Sequence, residues 1–471
     1  MSSTEFPLWQ MNADALVQAY ARGDLSPVEV LLSVRSRQQQ CGSLLGAVLI
    51  AQDDAAADAQ ARASEARWRR GTPLSALDGV PVSVKDNIAQ HGLPCRWGSR
   101  AFSDHWPTHD EQPVARLRNA GAVLLGKTNV PEFTLQGYTD NALFGPTRNP
   151  WNRALTPGGS SGGAVAAVAS GIGPLALATD GGGSIRRPCA YTGLFGFKPG
   201  RGVVPRADGL PALLPGLEEI GPIARNIADL ARILLVIAPE MSGSLLPTPL
   251  PSAPLRIAYW RSIGTSPVDP VIRDRVDEAA EQLRDLGHVV VAQPAPVEVE
   301  QFNTRAWPVI SGAGLAAVMA TLPPGADAGL GAALAHLLAA GRSLSAVDLH
   351  RAQGVQRALT EAMAQVFSTH DLVLSPACAA MPWSAERSHP ERIDGQAVDG
   401  RGHAVFTAFA NGAGLPALAL PCRPGDDGLP IGMQVVGPRG SDALLLGLGA
   451  QWEREAAPVW RWPELIEEAA V

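Results

Sequence analysis

Apolar side chains recur at helical spacing over the first sixty or so residues: Leu16, Ala19 and Tyr20 fall on one face. Ser26-Pro27-Val28-Glu29 reads as a capping box with proline at the first helical position. Both features predict packing helices. From about residue 79 the texture changes to short apolar runs, GVPVSV, GAVLLG, GPLALATD and GLFGF, punctuated by Gly and Pro and interleaved with Ala-rich helical stretches such as residues 162–170. That alternation predicts an α/β protein. Residues 239–254, PEMSGSLLPTPLPSAP, form a Pro/Ser-rich connector that could divide two domains. After it, LRIAYW, a helix around residues 272–286 and HVVVAQP give a second strand–helix–strand passage, and DLVLSPA and GLPIGMQVVG add further buried strands. Because a sheet can be completed by distant segments, the pattern favours one domain.

The chain has 471 residues, 46% hydrophobic and 18% charged, which suffices for a deep core. A net charge of −7 leaves no global basic field, so sequence-independent attachment to nucleic acid or to an anionic membrane is disfavoured. The first thirty residues lack a basic segment followed by an apolar one, and no run of 18 apolar residues occurs anywhere. A cytoplasmic protein with small-molecule chemistry is expected. Cys41, Cys95, Cys189, Cys378 and Cys422 are odd in number, scattered and without a C-x-x-C pair, so buried free thiols are expected rather than disulfides or a zinc site. One oddity narrows the chemistry further. Of 38 basic residues only Lys85, Lys127 and Lys198 are lysines. Arginine cannot release its proton in a protein, whereas a buried lysine can become a neutral base. All three lysines are therefore candidates.

Residues 121–128, GAVLLGKT, fit the phosphate-loop pattern G-x-x-x-x-G-K-[ST], but the variable positions are themselves an apolar strand and Pro131 soon interrupts any helix. Lys127 is expected to be structural. Residues 158–162, GGSSG, fit the nucleophile elbow G-x-S-x-G at Ser160 and, shifted by one, at Ser161. An elbow serine needs a downstream histidine base. His288, His336, His350, His370, His389 and His403 leave that reading open by count, though none carries a supporting local signature.

A stronger constellation joins three segments: Val82-Ser83-Val84-Lys85-Asp86-Asn87, Gly158-Gly159-Ser160-Ser161-Gly162-Gly163, and Asp180-Gly181-Gly182-Gly183-Ser184-Ile185-Arg186. In this order they resemble the lysine, G-G-S-S-G-G and D-x-G-G-S-I-R segments of the amidase signature family, and the 24 positions from Ser160 to Ser184 match its spacing. The similarity runs from roughly residue 77 through Pro199, through IGPIARNIADLA, and again through FTAFANGAGLPALALPCRPGDDGLPIGMQVVG. Residues from about 257 to 350 carry none of its landmarks.

The resemblance implies one α/β domain over residues 1–471, with a mixed, mostly parallel central sheet covered on both faces by helices. Its parts would be an N-terminal helical segment (1–60), a signature core (77–200), the connector (239–254), a variable helical region (257–370) and a C-terminal part completing the sheet (371–471). It further implies that Ser184 attacks the substrate carbonyl, that Ser160, on a cis peptide bond, relays the proton, and that neutral Lys85 receives it. The residue types suit that chemistry. A free serine is a poor nucleophile, and a lysine at its reference pKa of ~10.4 is mostly protonated. Burial must lower that value, and three units correspond to about 4 kcal/mol.

The backbone N–H groups of Gly181, Gly182, Gly183 and Ser184 are the expected oxyanion donors, because glycines let a carbonyl approach closely. The family often has threonine where this chain has Gly181. Ser161, Asp180 and Arg186 resemble supporting residues that hold the loops. Some family members acting on carboxylate-bearing amides place arginine three residues after the nucleophile, so Arg187 is a candidate for an anionic substrate group. Cys189 has no motif that would make it a nucleophile, and Lys198, in GFKPG, is expected to be structural. The chain reads KPGRGVVPR where the family often continues KPT-x-G-R-V.

The implied reaction is hydrolysis of a linear carboxylic amide to carboxylate and amine or ammonia, with no metal or organic cofactor. The expected partner is a small-molecule amide rather than nucleic acid or membrane, with a homodimer left open. Two alternatives stand beside it. One is the glutamine-hydrolysing subunit of a tRNA-dependent amidotransferase, which works in a complex and channels ammonia, although the middle region lacks that subunit's expected landmarks. The other is a non-catalytic binding protein on the same fold, against which the two serines and the deprotonatable lysine argue.

Overall fold

The computed structural model describes residues 7–238, 250–251 and 253–465, so residues 239–249 and 252 of the Pro/Ser-rich connector lie outside the described residues. One sheet organises the chain. Its strands are β1 (Leu49–Ala51), β2 (Pro81–Lys85), β3 (Val123–Thr128), β4 (Leu175–Asp180), β5 (Phe195–Lys198), β6 (Glu219–Ala224), β7 (Arg256–Tyr259), β8 (Val289–Ala292) and β9 (Leu372–Pro376). A separate hairpin pairs β10 (Arg392–Ile393) with β11 (Gln396–Ala397), and β12 (Ala417–Cys422) and β13 (Ile431–Val436) return to the main sheet. The strand order is β1-β3-β2-β4-β6-β5-β12-β13-β9-β7-β8.

The sheet is mixed, as expected, with parallel pairing concentrated in two flanking blocks. One is β3-β2-β4 and the other β9-β7-β8. The strands between them pair antiparallel, and β12 against β5 closes the C-terminal part onto the segment that carries the serines. Strands β2, β3, β4, β5, β6, β9, β12 and β13 are buried at every position. That explains why most of their sequences read as apolar runs rather than alternating ones.

The N-terminal helices form as their patterns dictate. Ser26 Oγ accepts from the backbone of Val28 and Glu29, the Glu29 carboxylate accepts from Ser26 N, and the helix Pro27–Leu45 follows. Leu16, Ala19 and Tyr20 of the helix Ala13–Arg22 are buried. The helix Gly162–Ser170 is buried on all sides, which its run of Gly and Ala permits. Among the described residues, no helix is long and apolar enough to cross a membrane.

Candidate active site

Strands β2 and β4 are parallel neighbours, and their C-terminal ends place Lys85 beside Thr179 and Asp180. Ligand sites in open α/β sheets gather at such strand ends. Two helices begin over this edge: Ser160 and Ser161 immediately precede Gly162–Ser170, and Ser184 precedes Arg186–Thr192. Fixed strands thus carry the lysine, and two tight strand-to-helix turns carry the serines.

Lys85 is fully buried, and its Nζ lies 2.8 Å from Ser160 Oγ, 2.8 Å from Thr179 Oγ1 and 3.1 Å from Thr179 O. Burial lowers its pKa to about 7. The charges of Glu218 and Asp180 oppose that shift, and those of Arg206 and Arg187 assist it. The Gly159–Ser160 peptide is cis. Ser161 Oγ donates to Thr179 O at 3.2 Å, so the end of β4 anchors both the lysine and the first serine turn. Ser160 and Ser184 are not hydrogen-bonded to each other.

Asp180 organises the second turn. Its carboxylate accepts from Gly183 N at 2.6 Å and Ile185 N at 3.1 Å, and from Arg186 Nε and Nη2 at 3.0 and 2.9 Å. Burial pushes this carboxyl upward, but the Arg186 charge and hydrogen bonds outweigh it and hold Asp180 well below the usual range. Arg186 also donates to Asn411 Oδ1, Gln434 Oε1 and Thr407 O. The Gly183 N–H donates to the Asp180 carboxylate three residues before it, so this one of the four expected oxyanion donors is engaged within the turn. Gly181, Gly182 and Ser184 have no such acceptor for their N–H groups among the described residues.

Above Ser184 lies a cavity of about 440 Å³, within the range of small-molecule sites. Gly181, Gly182, Ser184 and Arg187 form its floor, and Trp307, Ser311, His336 and Leu337 from two helices of the middle region form its roof. Arg187 is buried; its Nη1 donates to Gly182 O and to Thr407 Oγ1, and its Nε has no partner.

The rival motifs resolve differently. The phosphate-loop match coincides with β3, so its backbone is strand, and Lys127 Nζ donates to Ile88 O. Lys198 donates to Pro199 O at 2.7 Å. Of the downstream histidines, His336 and His403 line the cavity, but neither hydrogen-bonds to Ser160, Ser161 or Ser184. Cys189 is fully buried, and burial drives its thiol well above the ordinary value, which removes it as a thiolate. All five cysteines are free and buried, and no cluster able to hold a metal ion occurs among the described residues. Sequence reasoning assigned no role to Thr179, Thr407, Asn411 or Gln434. Their signal was present, since Thr179 precedes the Gly-rich turn and the other three lie in the segments resembling the family's C-terminal part.

A buried neutral amine held against one serine, with a second serine at the mouth of backbone donors, can activate an alcohol and receive its proton. This fold and grouping define an enzyme class that acts on carbon–nitrogen bonds. The Amidase family profile matches residues 29–446, and the chain belongs to the amidase signature family. Similar curated proteins are the glutamyl-tRNA(Gln) amidotransferase subunits A of Symbiobacterium thermophilum (32% identical over 97% of this chain and 99% of the relative) and Roseiflexus castenholzii (34%, over 98% and 99%). Among solved structures, a bacterial aryl acylamidase of the amidase signature family superposes with a TM-score of 0.87 at 30% identity, covering 96% of this chain and 97% of its own.

Proposed function

We propose that this protein is an amidase that hydrolyses a linear carboxylic amide through an acyl-enzyme on Ser184. The observation that carries the reading is Lys85, a fully buried amine 2.8 Å from Ser160 Oγ with its pKa lowered to about 7. Ser184 Oγ attacks the amide carbon while its proton passes through the Ser160 hydroxyl to Lys85 Nζ. The carbonyl oxygen becomes an oxyanion facing the N–H groups of Gly181, Gly182 and Ser184. Collapse breaks the C–N bond as the Lys85–Ser160 pair returns the proton to the leaving nitrogen. Water then repeats the sequence on the ester, releasing the carboxylate and restoring the Ser184 hydroxyl. Arg187, beside Ser184 in the cavity, favours an amide that also bears a negative charge.

Wild type and Ser184→Ala assayed against aliphatic, aryl, dipeptide, carboxylated and urea-like amides test the assignment. Hydrolysis and fluorophosphonate labelling are expected in wild type and absent from the variant. Activity surviving in Ser184→Ala would sink the reading.

The named curated relatives favour a second reading, a glutamine-hydrolysing subunit of an amidotransferase. Glutamine carries a carboxylate, which the cavity's arginines suit, and an ammonium, for which a site would offer an unpaired carboxylate. Glu218, the carboxylate that reaches this cavity, is already ion-paired with Arg206. Co-purification with partner subunits that stimulate glutamine hydrolysis would establish the second reading over the first.

A further inference from the structure

We infer that Arg401, together with Arg187 and His403, forms a carboxylate-binding subsite in the Ser184 cavity, which makes Arg401 a specificity-determining residue for acidic amides. The inference rests on the amidase reading and adds Arg401 and His403 to the anionic preference stated there for Arg187.

All three side chains line the cavity that contains Ser184. Most buried or half-buried arginines elsewhere have acceptors: Arg186 has Asp180, Arg206 has Glu111 and Glu218, Arg275 has Glu278 and Asp426, and Arg225 has backbone carbonyls. Arg401 differs. Its guanidinium stacks over the Trp307 ring at 4.6 Å and has neither a carboxylate nor a carbonyl partner among the described residues. Beside it, Arg187 leaves Nε without an acceptor, and His403, 2% exposed, has no partner at either ring nitrogen. Burial, Arg187 and Arg401 hold His403 well below its ordinary pKa, so it is a neutral imidazole able to donate one N–H.

Two guanidiniums and an imidazole thus border one cavity; the Asp399 charge acts on Arg401 without forming an ion pair with it, and Glu218, which also lines the cavity, is paired with Arg206. Burying unmatched charge and unfilled donors is costly, and an entering carboxylate supplies both the counter-charge and the acceptors. The stacked Trp307 holds the Arg401 plane in place, which reduces the ordering cost of binding.

The test uses the full chain in two arms. In the first, malonate, succinate and glutarate are titrated calorimetrically into wild type, Arg401→Met and Arg401→Lys. At least one dicarboxylate should bind wild type, with a tenfold or greater weakening in Arg401→Met and a smaller one in Arg401→Lys. In the second, kcat/KM is compared on succinamate and butyramide, and the loss in Arg401→Met should be at least tenfold larger for succinamate and appear mainly in KM. Circular dichroism confirms that each variant is folded, and Arg401→Lys keeps the test alive if Arg401→Met is not. Wild type that binds no dicarboxylate, or equal losses on the two amides, would overturn the subsite. Hydrolysis of neutral amides alone overturns the subsite and leaves the amidase reading standing. Hydrolysis of no amide overturns the amidase reading, and the titration then decides the subsite by itself.

Discussion

The three lysines are all fully buried in a protein whose other basic residues are arginine, and they differ in what their amines meet. Lys127 and Lys198 each donate to a backbone carbonyl, whereas Lys85 meets a serine hydroxyl. With burial lowering its pKa to about 7, Lys85 is protonated below that value and free to act as a base above it. We therefore expect kcat/KM to fall about tenfold per pH unit below 7 and to level off above it, as a pH–rate profile of the free enzyme will show. Lys85→Arg, which cannot deprotonate, should lose at least roughly 10³-fold. Linkage gives a second readout. Between about 7 and the ordinary lysine value of 10.5 the unfolded chain binds the Lys85 proton and the folded chain does not, so this group makes folding more favourable as pH rises. Wild type should gain on Lys85→Met by up to about 1.4 kcal/mol per pH unit from pH 7 to 9 in denaturant titrations. This much was legible beforehand, because scarcity and motif both pointed to Lys85. The engaged N–H of Gly183 was not, since it depends on where the Asp180 side chain folds. Nor were Arg401 and His403, whose unmatched donors become visible only once the loop carrying them lands beside Ser184. The Gly181 departure also has a local reason: a Cβ there would come within 2.7 Å of Leu214 Cδ1, so this chain fills with Leu214 the space a threonine would need.

At the scale of elements, continuous apolar runs announced β2, β3, β4, β5, β7, β8, β9 and β13, and the Ala-rich stretch announced the helix Gly162–Ser170. Strand β6 was not announced, because Gly221-Pro222 reads as a turn although both residues pair across to β4. Three-residue β1 is too short to leave a pattern. The roof of the cavity was equally hidden, since amphipathic helices in the middle region say nothing about which surface they will cover. The helix Gly162–Ser170 matters most, because it sets the turn bearing Ser160. Gly163 lets it approach the chain after β3 so closely that a Cβ would lie 2.4 Å from Asn129 N. Backbone cannot yield as a flexible side chain does, so Gly163→Ala must push the helix, and the serine turn with it, away from Lys85. We expect about 1–3 kcal/mol of destabilisation and a fall in kcat of roughly 10²-fold, with KM little changed, measured by unfolding and steady-state kinetics.

Across the whole molecule, the site depends on parts of the chain hundreds of positions apart. Arg186 joins Asp180 of the signature core to Thr407, Asn411 and Gln434 of the C-terminal part, and Asn411 Nδ2 donates back to Asp180 O at 2.7 Å. The sheet pairing of β5 with β12 makes the same connection through the backbone. The Asp180–Arg186 pair is fully buried, so its charges are stable only together. Arg186→Met should leave the carboxylate uncompensated, lowering stability by about 3–5 kcal/mol and abolishing activity. Asp180→Asn/Arg186→Met removes both charges and should recover part of that loss. It should not recover activity, because a neutral amide lacks the second acceptor oxygen that holds the turn at Gly183 and Ile185. Thermal melts and Ser184 labelling of these two variants and of Asp180→Asn alone separate the two effects. Strictly additive stabilities would show that Asp180 and Arg186 act independently, and activity returning with stability would show that the pair serves folding alone rather than the geometry of the nucleophile turn.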